Sequence, residues 1–276
     1  MPEIYDVACH YDDIQATDAY TGTTLFKAQY SSFNEAAKDG TITKRRTMSV
    51  RPGTTIPARR AVNFLSETWI IGDGNSDGIY GLPIRTAYWM KKSTGLASLL
   101  TPAQACNSSA GTSMHISAMY LKDTVNSTSD TEYDTFWNVF TSSSEPVVKG
   151  YYFKVGSKYY RVRGQHQETT GFGLAACDEL DDSAVTTAIV KTSVTYDPIT
   201  DTQTGTTSTI SAIMLDPGKF YRYANNMDDK YTSGDYSLVT ASALDVGSDV
   251  TINSLRWRVL SKEAEADAWV HHIRRD

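Results

Sequence analysis

The sequence predicts a mainly β protein, with two similar small β-barrel or sandwich modules at the ends and an intervening α+β module. Three observations carry this expectation. A short pattern recurs at 62–71, 153–162 and 250–259. In each copy two apolar residues stand two apart, a Ser follows, and an aromatic and an aliphatic residue close the pattern: Val62, Phe64, Ser66, Trp69 and Ile71 in the first, Val250, Ile252, Ser254, Trp257 and Val259 in the third. Period-two alternation broken by a short polar turn marks a β-hairpin with one buried face. The register also holds upstream, where Met48-Ser49-Val50 maps onto Tyr236-Ser237-Leu238 without a gap. Repetition of this kind points to modular construction. Finally, 17 Tyr among 276 residues, with frequent Thr and Val, favour strands over helices.

The elements follow in order. Residues 1–95 read as the first β-barrel module, with strands at 44–50 and 84–91 and the first hairpin at 60–71. Residues 96–184 read as the α+β module. There, Thr101-Pro102-Ala103-Gln104-Ala105 offers a Thr cap and a Pro at the first helical position, which starts a short helix. Tyr133, Phe136, Trp137 and Phe140, spaced by three and four, predict a second helix at 131–140 capped by Ser129 or Asp130. The second hairpin follows at 151–163, and the acidic run Asp178-Glu179-Leu180-Asp181-Asp182 reads as a solvated boundary. Residues 185–276 read as the second barrel module, with strands at 188–196, 208–215 and 236–243, then the third hairpin. The run 197–205 is turn chemistry, and 268–275 is either a closing strand or a helical turn.

Composition narrows the functional classes. A net charge of −6 opposes attraction of the whole surface to nucleic acid and leaves only a local patch. No apolar run approaches the ~20 residues that span a bilayer, and the first residues lack the features of a secretion signal. Membrane is therefore not an expected partner. Cys9, Cys106 and Cys177 are odd in number and far apart, which points to folding in a reducing cytoplasm. The sequons at Asn107 and Asn126 are then chance matches.

Chemistry-bearing motifs are few. Asp73-Gly74-Asn75-Ser76-Asp77-Gly78 matches the opening of a calcium loop, but Ile84 stands where the bidentate carboxylate belongs. The competing reading is a tight loop between two strands. His271 and His272, being adjacent, point to opposite faces of a strand, and His10, His115 and His166 have no ligand-spaced partner. No nucleophile elbow, phosphate-binding loop or zinc motif is present in the sequence, so the expectation is a non-enzyme without cofactor or metal. Trp69, Tyr160 and Trp257, at one fixed point of the repeat, read as core anchors and not as stacking platforms.

The candidate binding residues are Lys44, Arg45, Arg46, Arg51, Arg59 and Arg60, a basic cluster with no acid between Asp39 and Glu67. Its readings are contact with DNA phosphate, contact with an acidic patch on a partner subunit such as 178–182, or ion pairs within the chain.

The stretch Arg45-Arg46-Thr47-Met48-Ser49-Val50-Arg51-Pro52-Gly53-Thr54-Thr55-Ile56-Pro57 leading into the first hairpin resembles the neck proteins of tailed bacteriophages. So does the third hairpin followed by Trp269-Val270-His271. The pattern is similar to the head-completion or stopper family of head–tail connectors, which are small β-barrels without catalytic residues. The resemblance covers the two end modules. It implies a virion protein assembled in the host cytoplasm, in a six- or twelve-fold ring with portal or adaptor protein above, tail protein below and DNA passing through its channel. A tail-tip or adsorption module that binds a surface glycan is the alternative, supported by the many Tyr and Trp residues.

Overall fold

The computed structural model describes residues 14–36, 42–79, 82–124, 133–142, 144–167, 171–200, 202–215 and 235–275. Cys9, His10, the Asn126 sequon and the Ser129–Asp130 cap lie outside them. Eighteen strands and one short helix make up the described elements. The strands are β1 Ile14–Asp18, β2 Thr24–Ala36, β3 Ile42–Val50, β4 Ala61–Phe64, β5 Glu67–Ile79 and β6 Leu82–Lys92. Then come β7 Gly95–Leu100, α1 Pro102–Cys106, β8 Thr112–Thr124, β9 Tyr133–Ser142, β10 Tyr152–Val155, β11 Lys158–Gln167 and β12 Phe172–Glu179. The last set is β13 Val185–Asp197, β14 Thr202–Leu215, β15 Asp235–Thr240, β16 Asp249–Ile252, β17 Leu255–Glu265 and β18 Ala268–Arg275.

These strands close into three six-stranded barrels with one shared order. In each, the first strand pairs with the second and the fourth, and the third pairs with the sixth; β1–β2–β3–β6–β5–β4 and β13–β14–β15–β18–β17–β16 are the end rings. The expected barrels at both ends are present. The middle strands form a ring as well, and here one expectation fails. Residues 133–142 are strand β9, paired along β8 and β12, and not a helix. The three- and four-residue spacing of its aromatics misled because the strand is apolar on both faces: Val139 and Phe140 are both buried. Helix α1 forms as expected, with a reciprocal Thr101–Gln104 capping box and Pro102 in its first turn. Residues 268–275 resolve to the closing strand.

All three repeated hairpins turn in two residues, as the pairs Phe64↔Glu67, Val155↔Lys158 and Ile252↔Leu255 define. Leu65 and Ser66 have φ of 56° and 60°, and Asn253 and Ser254 have 48° and 65°. This is the φ signature of the type I′ turn, whose twist matches the flanking strands. In the middle copy Gly156 alone takes positive φ, at 62°.

By contact the chain divides into two compact units, each with its own share of the middle ring's strands. One comprises 1–97, 114–147 and 164–177. Its barrel interior is filled from alternate positions: Met48 and Val50, Val62 and Phe64, Trp69 and Ile71, with Met90 from β6. Ile70 points the other way and packs on Phe140 and Phe172, so β5 is buried on both faces. Gly171 lies so close to this strand that a Cβ there would sit 2.1 Å from Asp73 Cγ.

The other unit comprises 98–113, 148–163 and 178–276. Ala188 and Val190, Val250 and Ile252, Trp257 and Val259, with Leu238 and Ile273, fill its barrel. A second cluster joins Tyr152 and Tyr159 to Ile213, Leu215, Val239 and Ala268, with Leu100 and Cys106 beside them. Beside it Arg161 Nη2 donates to both oxygens of Glu265 at 2.7 Å, so a partly buried charge is answered by one nitrogen that both oxygens share. Too short to persist alone, α1 is held by Asp267, which accepts from the Ala103 N–H, and by the Cys106 thiol, which donates to the Val239 carbonyl.

His271 is enclosed in this unit, its Nε2 3.0 Å from the Thr240 hydroxyl, and burial lowers its pKa to about 4. The unfolded chain binds this proton from pH 6.5 downward while the fold resists it to about 4. Stability is therefore expected to be complete above pH 6.5 and to fall with acid across that window. Melting curves across it should slope less steeply in His271→Asn.

The turns yield a second expectation. Leucine tolerates positive φ poorly, whereas asparagine adopts it readily. Leu65→Asn should stabilise the first hairpin by about 1 kcal/mol, and Asn253→Leu should weaken the third by a like amount, read by denaturant titration.

Candidate functional site

The six candidate cations separate in space. Lys44 and Arg45 belong to β3, where their backbones pair with Asn34 and Phe33 of β2. Arg46, two residues before the interior Met48, lays its guanidinium over the Trp69 ring, 5.4 Å from the centroid. Arg51 is exposed and begins a turn in which Gly53 takes φ of 78° and the Thr54 N–H donates to the Arg51 carbonyl.

Arg59 and Arg60 are held by the chain itself. Arg59 stacks over the Tyr20 ring at 3.8 Å and donates through Nε to Glu145 at 3.3 Å. Burial is the main reason the Tyr20 hydroxyl's pKa is raised; that oxygen accepts from the His115 N–H at 3.1 Å. Arg60 donates to Asp73 at 2.6 Å and to the Gly72 carbonyl at 3.3 Å. The acidic run is partly engaged too, since Asp178 takes Arg163 in bidentate fashion and Glu179 takes Lys158. Asp178 is buried, which departs from a solvated boundary.

The Asp73–Gly78 motif is neither a calcium loop nor a tight turn. It lies within β5, opposite 83–88 of β6, with register shifts on either side of the Gly74–Asp77 pairing. Gly74 faces Tyr88 closely, and a Cβ there would come 2.6 Å from the ring. Asp73 is the partner of Arg60. Among the described residues no group of three or more His, Cys, Asp or Glu converges as a metal site would.

Of the repeat aromatics, Trp69 and Trp257 are core anchors, 3% and 4% exposed. Tyr160, opposite Phe153, is half-buried, and its neighbour Tyr159 is the buried one, packed with Tyr152 on the other face. Cys106 is buried, and that burial pushes its thiol up to about 12, which keeps it protonated and unreactive.

What the geometry does assemble is a groove of about 330 Å³ around Arg46. Trp89, Lys91 and Lys92 of β6 line it with Ser117 and Met119 of β8, Phe140 of β9 and Phe172 of β12. Trp89 and Lys91, two apart on one strand, share a face. Lys91 Nζ stands 3.6 Å from the Phe140 centroid and 5.2 Å from that of Phe172. Lys92 is paired with Glu67 at 2.5 Å, and among the described residues no carboxylate lines the groove itself. Three cations interleaved with aromatic rings suit an anion that carries a flat or apolar part.

Of these residues only Arg46 stood in the basic cluster. The sequence Trp89-Met90-Lys91-Lys92 held the signal for the others: aromatic and cation at period two, at the end of an expected strand. Phe140 and Phe172 were out of reach, because long-range strand pairing brings them in. Among the described residues no helix is long and apolar enough to cross a membrane.

Arg46→Glu with Lys91→Glu should weaken retention on heparin and on DNA and reduce the salt slope by about 2. Arg59→Glu with Arg60→Glu should act instead on the fold, setting carboxylates against Glu145 and Asp73 at a cost of about 1–3 kcal/mol by thermal melting.

Comparison with protein-family models, with characterised proteins and with solved structures finds no match to this chain.

Proposed function

We propose that this chain is a structural virion protein of a tailed phage, forming a neck ring that joins the portal to the tail and lines the DNA channel. The observation that carries the reading is the threefold recurrence of one ring order, each ring with a two-residue hairpin, those of the two end rings being the ones on which the resemblance to connector proteins rests. A chain made of like barrels offers binding surface on loops and outer faces, while the interiors are filled by core side chains. Such division of labour suits an assembly component. The groove at Arg46, Lys91 and Lys92 gives this reading a place for phosphate or for an acidic neighbour.

Of the many Tyr and Trp residues behind the glycan alternative, Trp69 and Trp257 are packed in barrel interiors.

Electron microscopy of the purified chain, alone and with portal and tail proteins, tests the proposal. Six- or twelve-fold rings that bind either neighbour are the expected result. Trimers that bind glycan and ignore both neighbours would overturn it. In a phage carrying Arg46→Glu and Lys91→Glu, filled heads should accumulate without tails.

A further inference from the structure

The third barrel carries an apolar knob and an apolar hole at opposite ends of the same two strands. β13 and β14 pair from Val185↔Ile213 to Asp197↔Thr202. At ~3.3 Å per residue this ladder runs for roughly 40 Å. Among the described residues only its lower part pairs into the ring, since β16 pairs with Ala188–Val190 and β15 with 212–215. The upper part is an arm, and Gly205, Thr206, Thr207, Ser208 and Thr209 on it are exposed. At its end Pro198, Ile199 and Thr200 are exposed, with Ile199 at 92%, the highest among the exposed large apolar side chains of the described residues. This aliphatic side chain stands in water at a strand-braced turn.

At the other end, Met214, Tyr236, Ile252, Leu255 and Trp257 line a cavity of about 440 Å³, with Arg275 on its wall. Asp181, Ser183 and Asn253 share the lining with these apolar side chains, and Leu255 is 37% exposed. Comparison of the two end barrels adds an independent sign. Trp69 Nε1 donates to the Phe64 carbonyl at 2.9 Å, whereas the corresponding Trp257 Nε1 is buried with no acceptor. The third barrel thus holds a buried indole N–H left without the acceptor its counterpart has. Charge matches the tip to the cavity: Asp197 and Asp201 flank Ile199 in sequence, and Arg275 is exposed beside the cavity, where Asp181 is the one acid among the described lining residues.

We propose that the β13–β14 tip of one copy of this chain docks through Ile199 into the Trp257 cavity of the next copy. Separated by the length of the hairpin, knob and hole cannot meet within one molecule. The contact is therefore heterologous, and repeated copies close into a ring or run on as a filament. The inference stands on the third barrel alone and does not depend on the neck reading.

Sedimentation velocity of the purified full chain tests it. The wild-type chain should associate with rising concentration, and Ile199→Ser and Leu255→Lys should each remain monomeric with unchanged circular dichroism. Mixed in equal amounts, these two variants retain one intact knob and one intact hole between them, and should form dimers and nothing larger. Arg275→Glu provides a second cavity variant at an exposed site, expected to weaken association. A wild-type chain that stays monomeric, an Ile199→Ser chain that assembles like wild type, or a mixture that fails to pair would each overturn the proposal.

Discussion

Closing six strands into a ring leaves each strand one inward face, and the interior accepts only side chains set two apart. Everything else in this protein is arranged around that demand. Val62 with Phe64 and Trp69 with Ile71 meet it in the first barrel, and Val250 with Ile252 and Trp257 with Val259 meet it in the third. The two-residue turns fix which residues face in, because a slip of one position would turn every one of them out. The unusual backbone at Leu65 and Ser66 is the conformational cost of holding that register.

Outward faces carry the second layer of the design. Ile70 on β5 meets Phe140 and Phe172, and Tyr152 and Tyr159 on β10 and β11 meet Ile213, Leu215 and Val239. Where charge enters this layer it is answered: Arg161 by Glu265, Arg163 by Asp178, and Arg274 by the buried Asp235. Such pairs contribute specificity of packing more than net stability, since removing either partner strands a charge.

These two layers explain what was legible in the sequence. Period-two patterns with a turn between them depend on neighbours in the chain, so the hairpins, the capped helix at Thr101 and most strands could be read directly. Residues 133–142 could not, because a strand buried on both faces loses its alternation and its aromatics fell at helical spacing by chance. The basic cluster was visible as charge but not as geometry. Arg59 and Arg60 meet Glu145 and Asp73, of which Glu145 is far along the chain, and no local pattern foretells such a pair. Conversely Lys91 gains its place in the groove only when Phe140 and Phe172 arrive from other strands.

A chain with one ring order written three times faces a hazard during folding that a single barrel does not. Each strand has counterparts elsewhere that fit the same neighbours, and exchange between copies is the characteristic misassembly of repeated modules. The copies have diverged where exchange would begin. Their turns read Leu65-Ser66, Gly156-Ser157 and Asn253-Ser254, and the apolar pairs before those turns read Val62 and Phe64, Phe153 and Val155, Val250 and Ile252. With Val155 exposed and Tyr152 buried, the middle copy has changed its burial pattern as well. Divergence that looks like decay of a repeat is, for the nascent chain, a means of telling its own modules apart.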